Sequence, residues 1–317
     1  MTQKTITFYA LGTMNCIRIF READETAARK AVERIREIEK RMSAFLPESD
    51  LSLIRESAGK GFRQISGDTF SLLEKALTFG RLTHGAFDIT INPLARLWGI
   101  NRKEDFVPSG EEIQEALALV DYRCVELDRS STRCRLAKEG QSIDFGGIAK
   151  GYAADEAARI LKEGDVESAL VNLGGNIAAV GSRPGGFPWK IGIQNPLAAR
   201  GEYAACLSVT DRTVVTSGCN EQFFIRDGIR YHHLLDPRTG APAQSSVLSV
   251  TVIGGCSADA DALTTAFFLL GPAESLPLIR KFQVEAVFIM KDMSAAVTQG
   301  LKDNITFQEG VQLHETA

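Results

Sequence analysis

The chain is organised around one ten-residue segment, Tyr231-His232-His233-Leu234-Leu235-Asp236-Pro237-Arg238-Thr239-Gly240. The segment contains two of the four histidines, and its Pro/Gly punctuation predicts a short strand that ends in a turn. A turn at the end of a strand holds a proton-transfer group rigidly, since function concentrates on loops fixed by a scaffold. The ordinary alternatives are a packed strand histidine for His233 and a simple turn residue for Asp236.

The bulk composition is that of a globular protein with one large or two medium domains. The 317 residues are 44% hydrophobic and 24% charged, which are ordinary values for a folded chain. The formal net charge is −4 and the pI is near 5.7. These values argue against a nucleic-acid partner, which would require a basic surface.

The chain shows no targeting or membrane signal. We find no run of eighteen apolar residues and therefore expect no membrane span. The N-terminal residues pass directly into strand-like alternation, without the features of a signal peptide. The six cysteines form no CxxC pair, so we expect reduced thiols and a cytoplasmic protein.

Hydrophobic periodicity predicts an α+β fold with mixed, largely antiparallel sheets flanked by helices. Alternation around Leu11-Gly12-Thr13-Met14 predicts a hairpin or a bulged strand with a glycine kink over residues 4–20. Helical spacing predicts helices over 24–42, 68–83 and 110–119. We expect residues 85–99 to form a core strand with Trp98 buried. Further strands are predicted near 123–127, 133–136, 189–194, 203–209, 213–216, 247–254, 284–290, 295–298 and 304–307.

Two Gly-Gly turns follow predicted strands. In the first, residues 142–152 predict a strand, the Gly146-Gly147 turn and a helix that continues to about Leu161. Glycines allow close approach to a ligand, and a helix N-terminus offers N–H groups to a phosphate. The spacing is neither GxxxxGK[ST] nor GxGxxG, so a packing role stays open. The second turn, at Gly174-Gly175, follows an apolar strand in the same way.

A predicted helix over 257–270 carries Asp261 and Thr265, which are four residues apart and share one face. A carboxylate and a hydroxyl suit Mg²⁺, which takes few protein oxygens and completes its shell with phosphate and water. The alternative is a solvated or capping carboxylate near a helix start, and we expect Ser257 or Asp259 to be the N-cap. With a base at His233, these groups suit phosphoryl or nucleotidyl transfer.

The sequence also resembles the ApbE family of flavin transferases, from Leu11-Gly12-Thr13 to about residue 300. The resemblance rests on many motifs in the same order. They are Arg41-Met42-Ser43-Ala44-Phe45, Gly85-Ala86-Phe87-Asp88, Pro93-Leu94 with Leu97-Trp98-Gly99, Asp144-Phe145-Gly146-Gly147-Ile148-Ala149-Lys150-Gly151-Tyr152, Asn172-Leu173-Gly174-Gly175-Asn176, Ser217-Gly218, His233-Leu234-Leu235-Asp236-Pro237-Arg238-Thr239-Gly240 and Ala260-Asp261-Ala262-Leu263-Thr264-Thr265-Ala266.

The resemblance implies one ApbE-like, T-fold-like domain over residues 4–310 with two interleaved subdomains. Members of the family use Mg²⁺ to transfer the FMN half of FAD to a threonine hydroxyl of an acceptor flavoprotein, releasing AMP; some hydrolyse FAD instead. The resemblance makes His233 the base. It makes Asp261, Thr265 and the carbonyl of Ala149 the metal ligands, and it assigns to the FAD site Leu11, Ala86, Phe87, Asp88, Lys150 and Asp155.

The sequence departs from the family pattern in several places. Leu11-Gly12-Thr13 replaces Met-Gly-Thr, Phe87-Asp88-Ile89-Thr90 lacks the usual proline, and Ser217-Gly218-Cys219-Asn220-Glu221 lacks the usual tyrosine. Many members carry a signal peptide and a lipidated cysteine, which this sequence does not show, so we expect cytosolic acceptors. An FAD pyrophosphatase and a non-catalytic FAD-binding protein are the alternative functions.

Overall fold

The structure is a computed structural model that describes residues 3–100 and 105–315. The chain divides into two interleaved units, as the resemblance implied. The first unit comprises Met1–Glu39, Ile148–Gly218 and Ser246–Ala317, and the second comprises Lys40–Gly147 and Cys219–Ser245. Each unit is therefore assembled from segments that are distant in the sequence.

Seven α-helices lie in the described residues. They are α1 (Glu25–Met42), α2 (Asp50–Glu56), α3 (Gly67–Leu82), α4 (Asn92–Trp98), α5 (Gly110–Leu117), α6 (Ala149–Glu163) and α7 (Ser257–Phe282). Helices α2, α3 and α5 of the second unit begin at N-cap serines. Ser49, Ser66 and Ser109 each accept a hydrogen bond from a backbone N–H of the first turn, which satisfies a donor that has no partner inside the helix.

Seventeen β-strands lie in the same residues. They are β1 (Lys4–Ala10), β2 (Thr13–Ile19), β3 (Arg63–Gln64), β4 (Val125–Asp128), β5 (Arg133–Leu136), β6 (Ser168–Leu173), β7 (Asn176–Gly181), β8 (Trp189–Gln194), β9 (Tyr203–Val209), β10 (Thr213–Gly218), β11 (Phe223–Arg226), β12 (Ile229–His232), β13 (Val247–Gly254), β14 (Glu285–Met290), β15 (Ser294–Val297), β16 (Ile305–Phe307) and β17 (Gln312–Glu315).

The first unit is built on a nine-stranded sheet with the order β1-β2-β6-β7-β10-β13-β14-β15-β17. Its pairs are antiparallel except β15–β17, and a second sheet has the order β16-β9-β8. Strand β13 is buried at all eight positions, and helices α6 and α7 pack on this unit. The second unit contains the sheet β3-β5-β4 and the ribbon β11-β12. The predicted α+β class with largely antiparallel sheets is confirmed.

Helix α7 differs from the predicted 257–270 helix because it continues to Phe282 across a break. Gly271 has a φ of 78°, outside helical geometry, and two prolines follow it inside the helix. An 18-residue window of α7 has a mean hydropathy of 1.4, which by length and composition would allow a membrane span. The helix nevertheless contains no run of eighteen apolar residues, and the absence of a membrane span stays an expectation. Half of that window is buried within the protein, as in a core helix.

Two local predictions are also wrong. The segment before α4 is not a strand, since residues 89–98 form a short 3-10 helix followed by α4. Proline is compatible with the first turn of a helix, and Pro93 takes that place in α4. Trp98 is nevertheless buried, at 2% exposure. Residues 141–145 are not a strand, although the helix predicted after the Gly-Gly turn is present as α6.

Candidate functional site

The junction of α6 and α7 in the first unit brings several predicted site residues together. Asp261 lies in the first turns of α7 and is 3% exposed, and its Oδ2 accepts a hydrogen bond of 2.9 Å from the backbone N–H of Gly151. Burial raises the pKa of the Asp261 carboxyl, while the Lys150 ammonium and the Gly151 N–H oppose that rise. The fold therefore holds a carboxylate in a place where its charge is poorly solvated.

The two helices meet closely enough that only glycine fits at position 151. A Cβ on Gly151 would lie 2.2 Å from the carbonyl oxygen of Ser257 and 2.6 Å from Cα of Ala258. Such distances do not occur between real atoms, so the backbones of α6 and α7 touch at this point. This contact places the first residues of α6, Ala149 and Lys150, beside Asp261.

The residues predicted to hold a metal fit a hard divalent cation. The hydrogen bond from Gly151 ends on Oδ2 of Asp261, and Oδ1 is the second oxygen that this carboxylate can offer to a cation. Thr265 lies one turn later on α7 and is partly exposed. Ala149 is the first residue of α6, and a carbonyl oxygen has a second lone pair beyond any intrahelical bond. These are oxygen donors of the kind that Mg²⁺ prefers.

The same residues would not form a metal site made of protein ligands alone. The described residues contain no group of three or more His, Cys, Asp or Glu side chains that could hold a metal ion. This agrees with Mg²⁺, which keeps several waters and shares its shell with substrate phosphates. A cation at Asp261 would also supply the countercharge that this buried carboxylate needs.

Asp155 lies one helical turn after Gly151 on α6 and contacts the start of α7. Its Oδ1 accepts from the N–H of Ser257 at 2.7 Å, and its Oδ2 accepts from the N–H of Ala258 at 2.9 Å. The Cys256 thiol also donates to Oδ2, at 3.3 Å. The predicted contact of Asp155 with FAD stays a prediction, and the structure shows a carboxylate engaged with α7.

The N-cap prediction for α7 is wrong. The N-cap position is Cys256, which makes no side-chain cap hydrogen bond. Ser257 instead donates from its hydroxyl to Oδ1 of Asn176 at 2.7 Å. The first N–H groups of α7 are satisfied by Asp155 from another helix, which a search for nearby capping residues does not find.

Leu11 lies in the two-residue turn between β1 and β2. Ala10 pairs with Thr13, so Leu11 and Gly12 form the turn, with φ values of 54° and 72°. This left-handed geometry suits glycine and is unusual for leucine. The Leu11 N–H donates to Oε1 of Glu39 at 2.7 Å, which anchors the turn to α1.

In the second unit, His233 follows the last residue of β12 and is half-buried. Its Nδ1 lies 3.3 Å from the carbonyl oxygen of Gln222. A carbonyl can only accept, so this contact favours the tautomer with the proton on Nδ1 and the lone pair on Nε2. That is the form in which an imidazole can take a proton.

The neighbouring His232 and Asp236 bond to other groups of the second unit. His232 is 5% exposed and its Nε2 lies 3.1 Å from the carbonyl oxygen of Ala243. Asp236 accepts from the backbone N–H of Arg238 at 2.8 Å and from its guanidinium at 2.8 Å. The carboxylate therefore closes the turn that follows His233.

A tryptophan ties the same turn to α4. The indole Nε1 of Trp98 donates to the carbonyl oxygen of Gly240 at 2.8 Å. The Trp98 ring stacks on Tyr231 with 5.6 Å between centroids, and Tyr231 stacks on Phe224 at 5.1 Å. The sequence motifs contain both Trp98 and Gly240, but they do not reveal that the two residues bond to each other.

The predicted FAD residues Ala86, Phe87 and Asp88 are buried, with exposures of 2%, 4% and 9%. Asp88 accepts from the N–H of Thr90 at 2.8 Å and from the N–H of Tyr122 at 2.9 Å. Burial raises the pKa of the Asp88 carboxyl, and these hydrogen bonds oppose the rise. Asp88 thus organises its own segment, and its contact with FAD stays a prediction.

Comparisons with known proteins point to one family. The profile of the ApbE family matches residues 3–288. The chain is 36% identical to an FAD:protein FMN transferase of Treponema pallidum, over 93% of this chain and 86% of that protein. It is 35% identical to one from Klebsiella pneumoniae, over 85% of this chain and 84% of that protein.

Solved structures agree with the sequence matches. The ApbE protein of Thermotoga maritima superposes with a TM-score of 0.87 at 33% identity, covering 96% of this chain and 99% of that chain. The flavin transferase ApbE of Vibrio cholerae gives a TM-score of 0.84 at 25% identity, with 96% and 99% coverage.

Proposed function

The chain belongs to the ApbE family and is an FAD:protein FMN transferase, and we propose that it transfers FMN to a threonine hydroxyl with the help of Mg²⁺. The acceptor would be a flavoprotein, and AMP would be the second product. The observation that carries the proposal is the buried Asp261 carboxylate, which is held against the start of α6 by the N–H of Gly151 and lies near the Lys150 charge. A carboxylate of this kind is expected where a cation binds.

In the proposed reaction, the threonine oxygen attacks the phosphorus atom of the FMN half. A new P–O bond to threonine forms, and the P–O bond to the AMP half breaks. The hydroxyl proton goes to Nε2 of His233, which carries the lone pair in the tautomer favoured by Gln222. A hydroxyl is a weak nucleophile at neutral pH, so a positioned base contributes on the order of 10²–10⁴-fold.

The residues at the α6–α7 junction have a different task. Asp261, Thr265 and the carbonyl oxygen of Ala149 would hold Mg²⁺. A bound Mg²⁺ supplies positive charge to the phosphate oxygens as AMP leaves. Lys150, whose charge already acts on Asp261, would add a second positive charge towards the pyrophosphate.

The direct test incubates the protein with FAD, Mg²⁺ and a threonine-bearing acceptor domain and measures covalent flavin fluorescence on a denaturing gel. Transfer supports the proposal. Free FMN and AMP without labelled acceptor would instead identify an FAD pyrophosphatase, and unchanged FAD would identify a binding protein.

Two variants assign the roles. His233→Asn should lower the transfer rate by about 10²–10⁴-fold, whereas His84→Asn, at an exposed histidine with a φ of 51° that asparagine tolerates, should not. Asp261→Asn should remove Mg²⁺-dependent turnover. Asp165→Asn makes the same charge change at an exposed turn and should leave turnover unchanged. Normal turnover in Asp261→Asn would refute the metal role.

A further inference from the structure

Helices α6 and α7 are joined by a reciprocal pair of carboxylates. Asp155 on α6 accepts hydrogen bonds from N–H groups of α7, and Asp261 on α7 accepts one from an N–H group of α6. The spacing is the same on both helices, since Gly151 precedes Asp155 by four residues and Ser257 precedes Asp261 by four. Asp155 therefore lies one turn after Gly151, whose N–H binds Asp261. In the same way, Asp261 lies one turn after Ser257, whose N–H binds Asp155.

The bonds to Asp155 fix the first turn of α7. The first N–H groups of a helix have no partner inside it and carry partial positive charge. Asp155 binds two of them with its two oxygens, at 2.7 and 2.9 Å, while the N-cap side chain makes no cap bond. Hydrogen bonds to an ionised group are short and strong. This turn is consequently held by α6 rather than by its own sequence.

Fixing this turn also fixes Asp261. Asp261 lies one turn into α7, and its Oδ2 is bound to Gly151 on the helix that carries Asp155. Gly151 is in backbone contact with Ser257 and Ala258. The two helices are therefore closely packed between the two carboxylates. A small shift of the first turn of α7 would move Asp261 away from Gly151 and turn its Oδ1.

We propose that Asp155 is a positioning residue, which holds the Asp261 carboxylate in the orientation that binds the cation. The inference rests on the proposed metal role of Asp261. Asp155 touches neither the cation nor the reacting atoms in this role. Residues that orient a metal ligand typically change metal affinity by about 10–100-fold when they are lost, because Mg²⁺ demands near-ideal ligand geometry.

The test measures binding of Mn²⁺, which prefers the same oxygen ligands as Mg²⁺, by electron paramagnetic resonance of the free ion with FAD-free protein. Asp155→Asn should weaken Mn²⁺ binding by about 10–100-fold, and Asp155→Ala should weaken it at least as much. If Asp155→Ala does not fold, Asp155→Asn still retains one acceptor oxygen. Wild-type Mn²⁺ affinity in folded Asp155→Asn would overturn the proposal.

Two controls separate positioning from general loss of stability. Glu163→Gln makes the same charge change on α6 at a side chain that is 61% exposed, and it should not alter Mn²⁺ binding. Ile289→Val removes a methyl group at a fully buried site of β14; it should lower the melting temperature and leave Mn²⁺ affinity intact. A loss of affinity in Ile289→Val equal to that in Asp155→Asn would overturn the positioning role.

Amide hydrogen exchange distinguishes failure of this inference from failure of the proposed function. Asp155→Asn should speed exchange at Ser257 and Ala258, whose N–H groups lose a charged acceptor. Unchanged exchange there would overturn the inference. If wild-type protein binds no Mn²⁺ at all, the metal role of Asp261 fails, whatever the exchange rates show.

Discussion

The α6–α7 junction of the first unit and the Asp236 turn of the second unit both use an aspartate to bind backbone N–H groups, but over very different sequence distances. At the junction, Asp155 binds Ser257 and Asp261 binds Gly151, at separations of 102 and 110 residues. In the turn, Asp236 binds Arg238, two residues ahead. The first arrangement exists only when the unit is folded, whereas the second is a property of a short segment.

The difference has consequences for how each region tolerates change. A local turn retains several bonds when one is lost, since the N–H groups of Thr239 and Gly240 also bond to the carbonyl oxygen of Asp236. The junction depends on two helices meeting without a side chain between them. Close packing transmits strain. A methyl group added at the junction should therefore destabilise the protein more than the loss of a larger side chain in the turn.

The largest effect is expected from Gly151→Ala. The added Cβ would overlap Ser257 and Ala258, so the helices must separate, and we expect a loss of about 1–3 kcal/mol in the free energy of unfolding. Urea denaturation measures it. Gly110→Ala, at the start of α5 with open space around it, should be neutral or stabilising. Equal stability of Gly151→Ala and wild type would show that the close approach is unnecessary.

Trp98→Phe tests whether the turn of the second unit also depends on a distant contact. The variant leaves the Gly240 carbonyl without its 2.8 Å donor, which should cost about 1–3 kcal/mol, again measured by urea denaturation. Trp189→Phe removes an indole bond to the carbonyl oxygen of Gly181 in the first unit, where the N–H of Asp211 still donates to that oxygen. If only Trp189→Phe destabilised the protein, the turn would be held by its local bonds alone.

Asp88 combines the local bonding of the Asp236 turn with the long-range bonding of the junction. It accepts hydrogen bonds from Thr90 nearby and from Tyr122, 34 residues away. Its pKa is raised from 3.8 by burial, so the folded protein binds this proton more tightly than the unfolded chain does. Its contribution to stability is therefore greatest below pH 3.8 and decreases as pH rises through the folded pKa.

Melting temperatures over an acid-to-neutral pH series test this sign. Wild type should lose stability relative to Asp88→Asn as pH rises from the acid end, even if the amide variant is less stable throughout. Asp227→Asn, at a 90% exposed side chain, is the control for the change in charge. A difference between wild type and Asp88→Asn that grows in favour of wild type with pH would contradict the raised pKa.

The smallest effect is expected from Arg238→Ala. The Arg238 side chain is 57% exposed, and exposed ion pairs contribute about 0.2–1 kcal/mol. The backbone bond from residue 238 to Asp236 would remain. Asp236→Ala removes both contacts and should destabilise the protein more, by the same measurement. A larger loss in Arg238→Ala than in Asp236→Ala would mean that the guanidinium, and not the carboxylate, holds the turn.

Much of the fold follows from the sequence because periodicity and capping are local. The helix predicted over 24–42 is α1, and the strands predicted over 189–194, 203–209 and 247–254 have the predicted bounds. The wrong predictions of secondary structure occur where neighbouring residues outweigh the hydrophobic pattern. Residues 89–98 are apolar enough for a strand, yet Asp88 caps a helical turn and Pro93 starts α4. The break at Gly271 lies inside α7, where a helix end was predicted.

By itself, the sequence determined the family, through ordered motifs, and the turn after His233, because Asp236 bonds within its own segment. Only the tertiary structure decided which side chains bind the backbone N–H groups at the α6–α7 junction. Cys256 stands at the N-cap of α7 without a side-chain bond, and Asp155 supplies the acceptors from 102 residues away. The physical reason is that local hydrogen bonds need only a few fixed dihedral angles. A carboxylate that binds a distant helix needs the sheet and both helices to be packed first.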